Sequence, residues 1–393
     1  MEVFIAEWLN LLLRWAHLVV GVGWIGTSFY FIALDLALRK REQMTPGVQG
    51  TAWLVHGGGF YHVEKYMVAP DNLPPDLKWY QWEAYLTWVT GFALLVVQFY
   101  WNAEAYLIDP SVMDLTPVQA IAISVVSLAA GWFIYDGICR SPLGRNTTAL
   151  AVCLFVLIVL SAIAYTQIYS GRGALIHVGA LVGTFMAVNV FGVIIPNQKK
   201  VTAALIAGET PDPEMGRIAK QRSLHNNYLT LPVLLMMVSN HYPLLTNHPH
   251  AWLLVALVLV MGAMVRHFIN RHDAGDPMAS FAWTLPAGGV ALLAALVLTA
   301  PSGSLSTGPA VADEVALTIT QTHCAACHGA NPSHEAFDEA PKGIVLETTA
   351  DLRRYAPLVL AQSVHTDAMP LGNETGMTDE DRARLGAWLN AQE

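Results

Sequence analysis

The sequence predicts an all-α fold in two parts: an eight-helix transmembrane bundle and a small soluble helical domain at the C-terminus. Three observations carry this. Of 393 residues, 54% are hydrophobic and only 13% are charged, outside the range of ordinary soluble domains. The apolar residues are bunched into runs close to the roughly 20 residues that a helix needs to cross a bilayer. Charge is bunched as well: residues 310–393 hold 13 acidic and 5 basic side chains, the rest of the chain 17 and 16. A nearly neutral membrane body therefore precedes a strongly acidic tail, a balance that gives nucleic-acid binding no support.

Taken in order, the hydropathy places spans at residues 15–38, 83–101, 117–138, 149–169, 174–195, 224–242, 252–269 and 281–299. The N-terminus has no basic stretch and no small-residue cleavage site, so it reads as an uncleaved span and not as a signal peptide. Gly21, Gly23 and Gly26 with Trp24 in the first span fit close helix packing. Residues 300–309 (APSGSLSTGP) form a flexible tether, rich in Pro, Gly and Ser. The predicted division is a membrane catalytic domain over 1–299, a linker over 300–309 and a soluble domain over 310–393.

Loop charge orients the bundle. The odd-numbered loops carry 14 basic residues: Arg39, Lys40, Arg41, Lys65 and Lys78; Arg140 and Arg145; Lys199, Lys200, Arg217, Lys220 and Arg222; Arg266 and Arg271. The even-numbered loops carry only Arg172. The positive-inside rule then puts the odd loops in the cytoplasm and both termini outside.

The tail contains Cys324-Ala325-Ala326-Cys327-His328. Two thiols at C-x-x-C-H spacing form thioethers to the vinyl groups of a haem, and the adjacent imidazole then faces the iron. The same spacing serves zinc knuckles and thiol redox pairs. A second axial ligand is on offer about forty residues later in Met369-Pro370-Leu371-Gly372-Asn373, as in small class I-like cytochrome c domains. The expectation is one covalent haem c held by Cys324 and Cys327, with His328 and Met369 as axial ligands to iron. Haem c is attached outside the bacterial inner membrane, which agrees with the loop charges. The acidic surface suits a basic electron-transfer partner, and equally serves solubility. Cys139 and Cys153 read as ordinary small buried residues.

Ionisable groups inside spans mark sites more often than they decorate helices, and three groupings stand out. Near the outer face, Arg14 and His17 open the first span, and Arg172 and His177 open the fifth. The two imidazoles could ligate a second, non-covalent haem b with the arginines on its propionates, or the four could hold an organic anion. The plain alternative is snorkelling arginines and helix-bonding histidines. Near the inner face, Arg222, His225, Asn226, Asn227 and Tyr228 meet Arg266, His267 and Asn270, donors suited to a flat anionic heterocycle, or simply solvated helix ends. The third grouping is the first cytoplasmic loop, residues 56–66 (HGGGFYHVEKY), where three glycines precede a dense supply of acid–base groups. A plain flexible loop is the alternative. Candidate catalytic residues are His56, His62, Glu64 and Lys65 in this loop, with His225 and His267 near the inner face.

Arg14-Trp15-Ala16-His17 through Trp24-Ile25-Gly26-Thr27-Ser28-Phe29-Tyr30, the HGGGFYHVEKY run and Met369-Pro370-Leu371-Gly372-Asn373 together resemble the bacterial membrane-bound, cytochrome c-coupled urate oxidases (urate hydroxylases). The resemblance covers essentially the whole chain, although the first-span pattern recurs in other membrane haem proteins, and it transfers no catalytic residue. It implies oxidation of urate to 5-hydroxyisourate with oxygen from water. Electrons would leave through haem c to a respiratory acceptor, such as a soluble cytochrome or a terminal oxidase, without hydrogen peroxide. A multi-pass protein of the bacterial inner membrane, with the termini and cytochrome domain periplasmic, is the implied location. A cytoplasmic substrate site would require electrons to cross the bilayer, whereas a site near Arg14 and Arg172 would allow direct transfer. The competing class is a respiratory electron-transfer subunit that takes electrons from quinol or a partner and performs no urate chemistry.

Overall fold

A computed structural model describes residues 2–300, 311–335, 337–366 and 368–391; all of the expected tether after Ala300 lies outside the described residues. The chain is mostly helical. Helix α1 (Glu2–Ala37) leads into strands β1 (Val48–His56) and β2 (Gly59–Tyr66), then α2 (Trp82–Leu95), which runs on through a π-helical turn at Val96–Tyr100. After the short α3 (Ala103–Tyr106) come α4 (Pro117–Arg140), α5 (Thr147–Thr166) and α6 (Gly171–Val188). A second π turn at Asn189–Ile194 joins α6 to α7 (Ile195–Ile206). The body closes with α8 (Pro213–Ser239), α9 (Pro243–Thr246), α10 (Ala251–Ala274), α11 (Met278–Phe281) and α12 (Thr284–Leu298). In the tail lie α13 (Asp313–His323), α14 (Ala325–His328), α15 (Thr349–Arg354), α16 (Ala356–Val359) and α17 (Asp379–Asn390).

Six helical segments among the described residues are long and apolar enough to cross a membrane: Phe4–Ala37, Pro117–Arg140, Thr147–Thr166, Gly171–Ile206, Ala251–Ala274 and Met278–Leu298. The other two predicted spans are helical but differ in kind. Over 83–101 the α-helix stops at Leu95 and a π turn takes over. Over 224–242 the helix starts earlier, at Pro213 behind the N-cap Asp212, so its first turns are polar. Apolar side chains on α1 such as Trp15 (66% exposed) and Leu18 (64%) point outward, as lipid-facing residues do.

Local chemistry explains the helix ends and contacts. Thr116 and Gln119 form a reciprocal capping box ahead of Pro117 at the start of α4, satisfying amides that the first turn leaves unpaired. Gly275 closes α10 at φ 75°, a conformation that favours glycine, and Arg39 donates to Ala274 O at 2.8 Å there, tying the end of α1 to the end of α10. Pro232 interrupts the α8 ladder, and its ring packs on Gly262 of α10, where a Cβ would sit 2.5 Å from Pro232 Cδ. The apolar core runs through α4, α5, α6, α8 and α10, with Tyr135, Leu181, Phe185 and Leu150 fully enclosed. Of the first-span glycines, Gly21 and Gly23 approach Thr87 and Glu83 of α2, while Gly26 meets no neighbour within 4 Å.

One expectation is overturned outright. The glycine-rich segment is not a loop in an all-α protein; it is an antiparallel β-hairpin pairing Trp53 with His62 and Val55 with Phe60. Gly57 (φ 59°) and Gly58 (φ 77°) make its two-residue turn, and positive φ at both central positions is what a hairpin's right-handed twist demands. The triple glycine serves strand reversal.

The tail has its own core of Ala316, Leu352, Leu385, Trp388 and Leu389. Trp388 is buried, and its indole donates to Asp313 Oδ1 at 2.8 Å, fastening α17 to the start of α13.

Candidate active site between the body and the tail

The tail's Met369–Asn373 segment packs against one end of the helical body. Gly372 adopts φ 59°, and a Cβ on it would lie 3.2 Å from Glu104 O and 3.5 Å from Ile108 O. Between this segment and the body lies a cavity of about 170 Å³. Tyr106, Asp109, Gln167, Tyr169, Arg172 and His248 line it from the body; Ala368, Leu371 and Gly372 close it from the tail.

Arg172 is fixed by the way α6 begins. Ser170 caps the helix, accepting from Gly173 N at 3.1 Å and donating to Tyr106 O at 2.7 Å, while its amide donates to Leu107 O at 3.0 Å. Gly171 approaches the Thr246 carbonyl so closely that any Cβ would collide with it. The loops after α2 and α8 are thus clamped around the residue that presents the guanidinium. Among the described residues, no carboxylate lies within ion-pair distance of Arg172. Arg14 donates to His241 Nε2 at 3.3 Å and to Gln98 Oε1 at 3.0 Å, and the charges of Arg14, Arg172 and the tail's Lys342 all act on His241. The cavity thus combines the Arg172 guanidinium and the Asp109 carboxylate with amide, phenol and imidazole walls. Such walls suit a planar anion carrying several hydrogen-bonding edges.

Under the cavity floor sits a buried polar stack. Tyr169 lies on His177 with ring centres 4.6 Å apart. His177 donates from Nδ1 to Gly173 O at 2.7 Å and accepts from Ser124 Oγ at 2.6 Å, and Ser124 is in turn bonded to Tyr100 at 2.6 Å. His177 thus has both ring nitrogens engaged, so iron ligation there requires breaking the Ser124 contact. His17 belongs to a different contact set, donating to Thr87 O on α2 at 3.0 Å. The structure pairs Arg14 with His241 and gives His17 and His177 separate partners.

At the opposite end of the bundle, the inner grouping closes on itself. Tyr135 bonds His225 Nδ1 at 2.8 Å and accepts from Asn189 Nδ2 at 2.7 Å, and Asn189 also donates to Asn226. Arg222 pairs with Asp136 at 2.6 Å. Arg266 donates to Asn270 Oδ1 and Asn227 Oδ1 and lies over the Phe29 ring at 3.9 Å, while Tyr228 bonds His267 Nδ1 at 2.8 Å. His225 and His267 are therefore in separate pairs, each with a tyrosine. Asp136, a charge within apolar α4, is a sequence signal for this network that the sequence reading passed over; Tyr135 and Asn189 carry none.

The hairpin residues are scattered. His56 lies exposed beside the turn and His62 stacks on Trp53 at 4.4 Å. Glu64 accepts from Tyr66 at 2.7 Å, and Lys65 pairs with Asp35 at 2.7 Å. Alternation along β2 sends His62 and Glu64 to one face and Lys65 to the other, so these candidates do not form one constellation.

In the tail, Cys324, Cys327 and His328 follow directly on α13, and both cysteines are free thiols. His328 Nδ1 donates to Ile344 O at 2.8 Å, which fixes the tautomer and leaves the Nε2 lone pair available to a metal. Met369 is held by its backbone: its amide donates to Gln362 O at 2.8 Å, and Arg382 donates to its carbonyl and to Ser363 O at 2.7 Å each. Burial pushes the Cys324 thiol up to about 11 and raises Cys327 as well, opposite to the depression that a C-x-x-C redox pair uses. Among the described residues no three His, Cys, Asp or Glu side chains converge as a metal-binding group. A zinc knuckle needs such a group; thioether attachment with one His and one Met does not. Two thiols, one imidazole and one thioether are the donor types that a covalent haem c would use.

A helical body with membrane-length segments and a polar cavity at one end defines the class of protein. The family model described as urate oxidase N-terminal matches residues 3–300, and the chain belongs to that family. The match ends two residues beyond α12. No curated protein and no solved structure matches the chain.

Proposed function

We propose that the protein is a membrane-bound urate oxidase that passes electrons to a haem c carried by its own tail. The supporting observation is the cavity bounded on one side by Arg172 and on the other by the segment that follows Met369. Substrate bound there would lie beside the segment that carries Met369, the expected iron ligand.

The reaction balances as urate plus water giving 5-hydroxyisourate, two electrons and two protons. A bound haem c supplies one-electron acceptance, reset after each electron by a respiratory acceptor beyond the tail. The chain's residues do the rest. Arg172 holds the anion and lowers the cost of bringing its charge out of water. Tyr106 and Gln167 offer hydrogen-bonding edges, and Tyr169 supplies an apolar ring at the floor. Cys324 and Cys327 anchor the haem, with His328 and Met369 on its iron. An orientation with both termini outside the inner membrane, which the 14-to-1 loop bias supports, has this cavity opening on the periplasmic side.

Urate-driven haem reduction compared across two variants tests the placement. Arg172→Ala is expected to slow reduction and raise the urate concentration needed, while His225→Ala leaves both within a factor of three of wild type. The reverse pattern moves the substrate to the inner end, and reduction by quinol but not by urate supports the relay reading instead.

A further inference from the structure

The inner end of the body holds a second cavity, of about 260 Å³, at the ends of α4, α7 and α8. Its walls include four arginines, Arg140, Arg145, Arg217 and Arg222, with a single carboxylate, Glu214. They are graded in depth: the side chains of Arg140 and Arg217 are 70% and 41% exposed, and that of Arg222 only 1%. The exposed arginines form a mouth and Arg222 the floor.

Existing partners do not use up this charge. Asp136 is shared between Arg140 and Arg222 at 2.6 Å each, and Glu214 serves Arg217 at 2.6 Å. Two carboxylates therefore face four guanidiniums. Arg145 has no carboxylate within ion-pair distance among the described residues, whereas Arg222 also donates to Asn189 Oδ1 at 3.5 Å and lies 4.9 Å from the centre of the Tyr135 ring. The buried Arg222 Nε, moreover, has no hydrogen-bond acceptor among the described residues. The cluster is therefore short of negative charge, which an oxyanion held by the arginines at the mouth would offset. The frame is rigid: Gln221 donates to Gly144 O, and Gly144 abuts the Cys139 carbonyl so tightly that no side chain fits there.

We propose that this cavity is a phosphate-binding site, taking either the headgroup of an anionic phospholipid or a small soluble phosphate monoester. Several guanidinium forks around one space match the tetrahedral, multiply charged phosphate better than a singly charged planar anion. Basic pockets among helix ends at the cytoplasmic side are where anionic headgroups dock. The site lies at the opposite end of the body from the Arg172 cavity and does not depend on the urate reading.

The test uses full-length purified protein. Inorganic phosphate is titrated against thermal unfolding at constant ionic strength with chloride as control. In parallel, protein reconstituted with phosphatidylglycerol or with phosphatidylcholine alone is examined by native mass spectrometry for retained lipid. Wild type should be stabilised by phosphate beyond chloride, or should retain phosphatidylglycerol that phosphate displaces. The first result alone assigns a soluble ligand, the second a lipid. The Arg145→Ala/Arg217→Ala variant, altered only at exposed side chains, should weaken whichever is seen by at least tenfold. No preference for phosphate or phosphatidylglycerol in wild type, or unchanged binding in the variant, overturns the proposal.

Discussion

Arg172 is the residue on which the proposed substrate site turns. Its neighbours Ser170, Gly171 and Gly173 are spent on fixing the backbone, and the guanidinium is left facing the cavity. A charged hydrogen bond to substrate contributes about 1.5–3 kcal/mol, so Arg172→Ala should lower kcat/KM for urate by roughly 10- to 100-fold. Unfolding temperature should be nearly unchanged, because the side chain has no ion-pair partner to lose. Arg382 acts differently, as a positioning residue for Met369. Arg382→Ala removes two bonds to carbonyls, and the expected outcome is loss of the methionine–iron absorption signature with covalent haem retained. Legibility at this scale was uneven. Cys324, Cys327, His328, Met369 and Arg172 stand out in the sequence because their chemistry is local or their setting anomalous. Tyr106, Gln167 and His248 do not, since each lies in an ordinary interhelical loop and only the tertiary fold brings them to one cavity.

At the level of elements, the hairpin shows how a composition signal misleads. Three glycines among polar residues read as a flexible loop, but the flanking Trp53, Val55, Phe60 and His62 alternate with a period of two, which is the strand pattern. Gly58→Val should therefore disrupt the turn, where φ is 77°, and expose the hairpin to protease without abolishing haem attachment. Gly372 joins two elements. Gly372→Ala strains a positive φ and presses on Glu104 O, so urate-driven reduction should slow several-fold while the reduction of the haem by a small chemical donor stays normal. In the tail, the caps of α15 and α17 give a pH dependence. Hydrogen bonds from Thr348 hold Asp351, and from Thr378 hold Asp381, below the ordinary value of 3.8. The folded state thus binds fewer protons at these sites than the unfolded state. The stabilisation is complete above that value and disappears as pH falls through the lower folded values. Thr378→Ala should shift the tail's acid unfolding midpoint upward, followed by the haem absorption.

On the scale of the whole molecule, the sequence made the division into apolar body and acidic tail plain, because hydropathy and charge segregate along the chain. The meeting of the two was not legible: it depends on a glycine in the tail fitting against backbone carbonyls of the α2–α4 connection. Under the proposed function that contact relieves the tension between a cytoplasmic site and a periplasmic haem, since the Arg172 cavity and the Met369 segment lie at the same end of the bundle. An electron would then have no bilayer to cross, and the polar network around Tyr135 and His225 at the other end would be structural.

The most direct measurement is an anaerobic titration of the oxidised, full-length protein with urate while the haem bands are followed. The account predicts complete reduction at half a molar equivalent of urate per haem, with 5-hydroxyisourate formed and no hydrogen peroxide. A haem that stays oxidised in excess urate, yet is reduced readily by quinol, would contradict it.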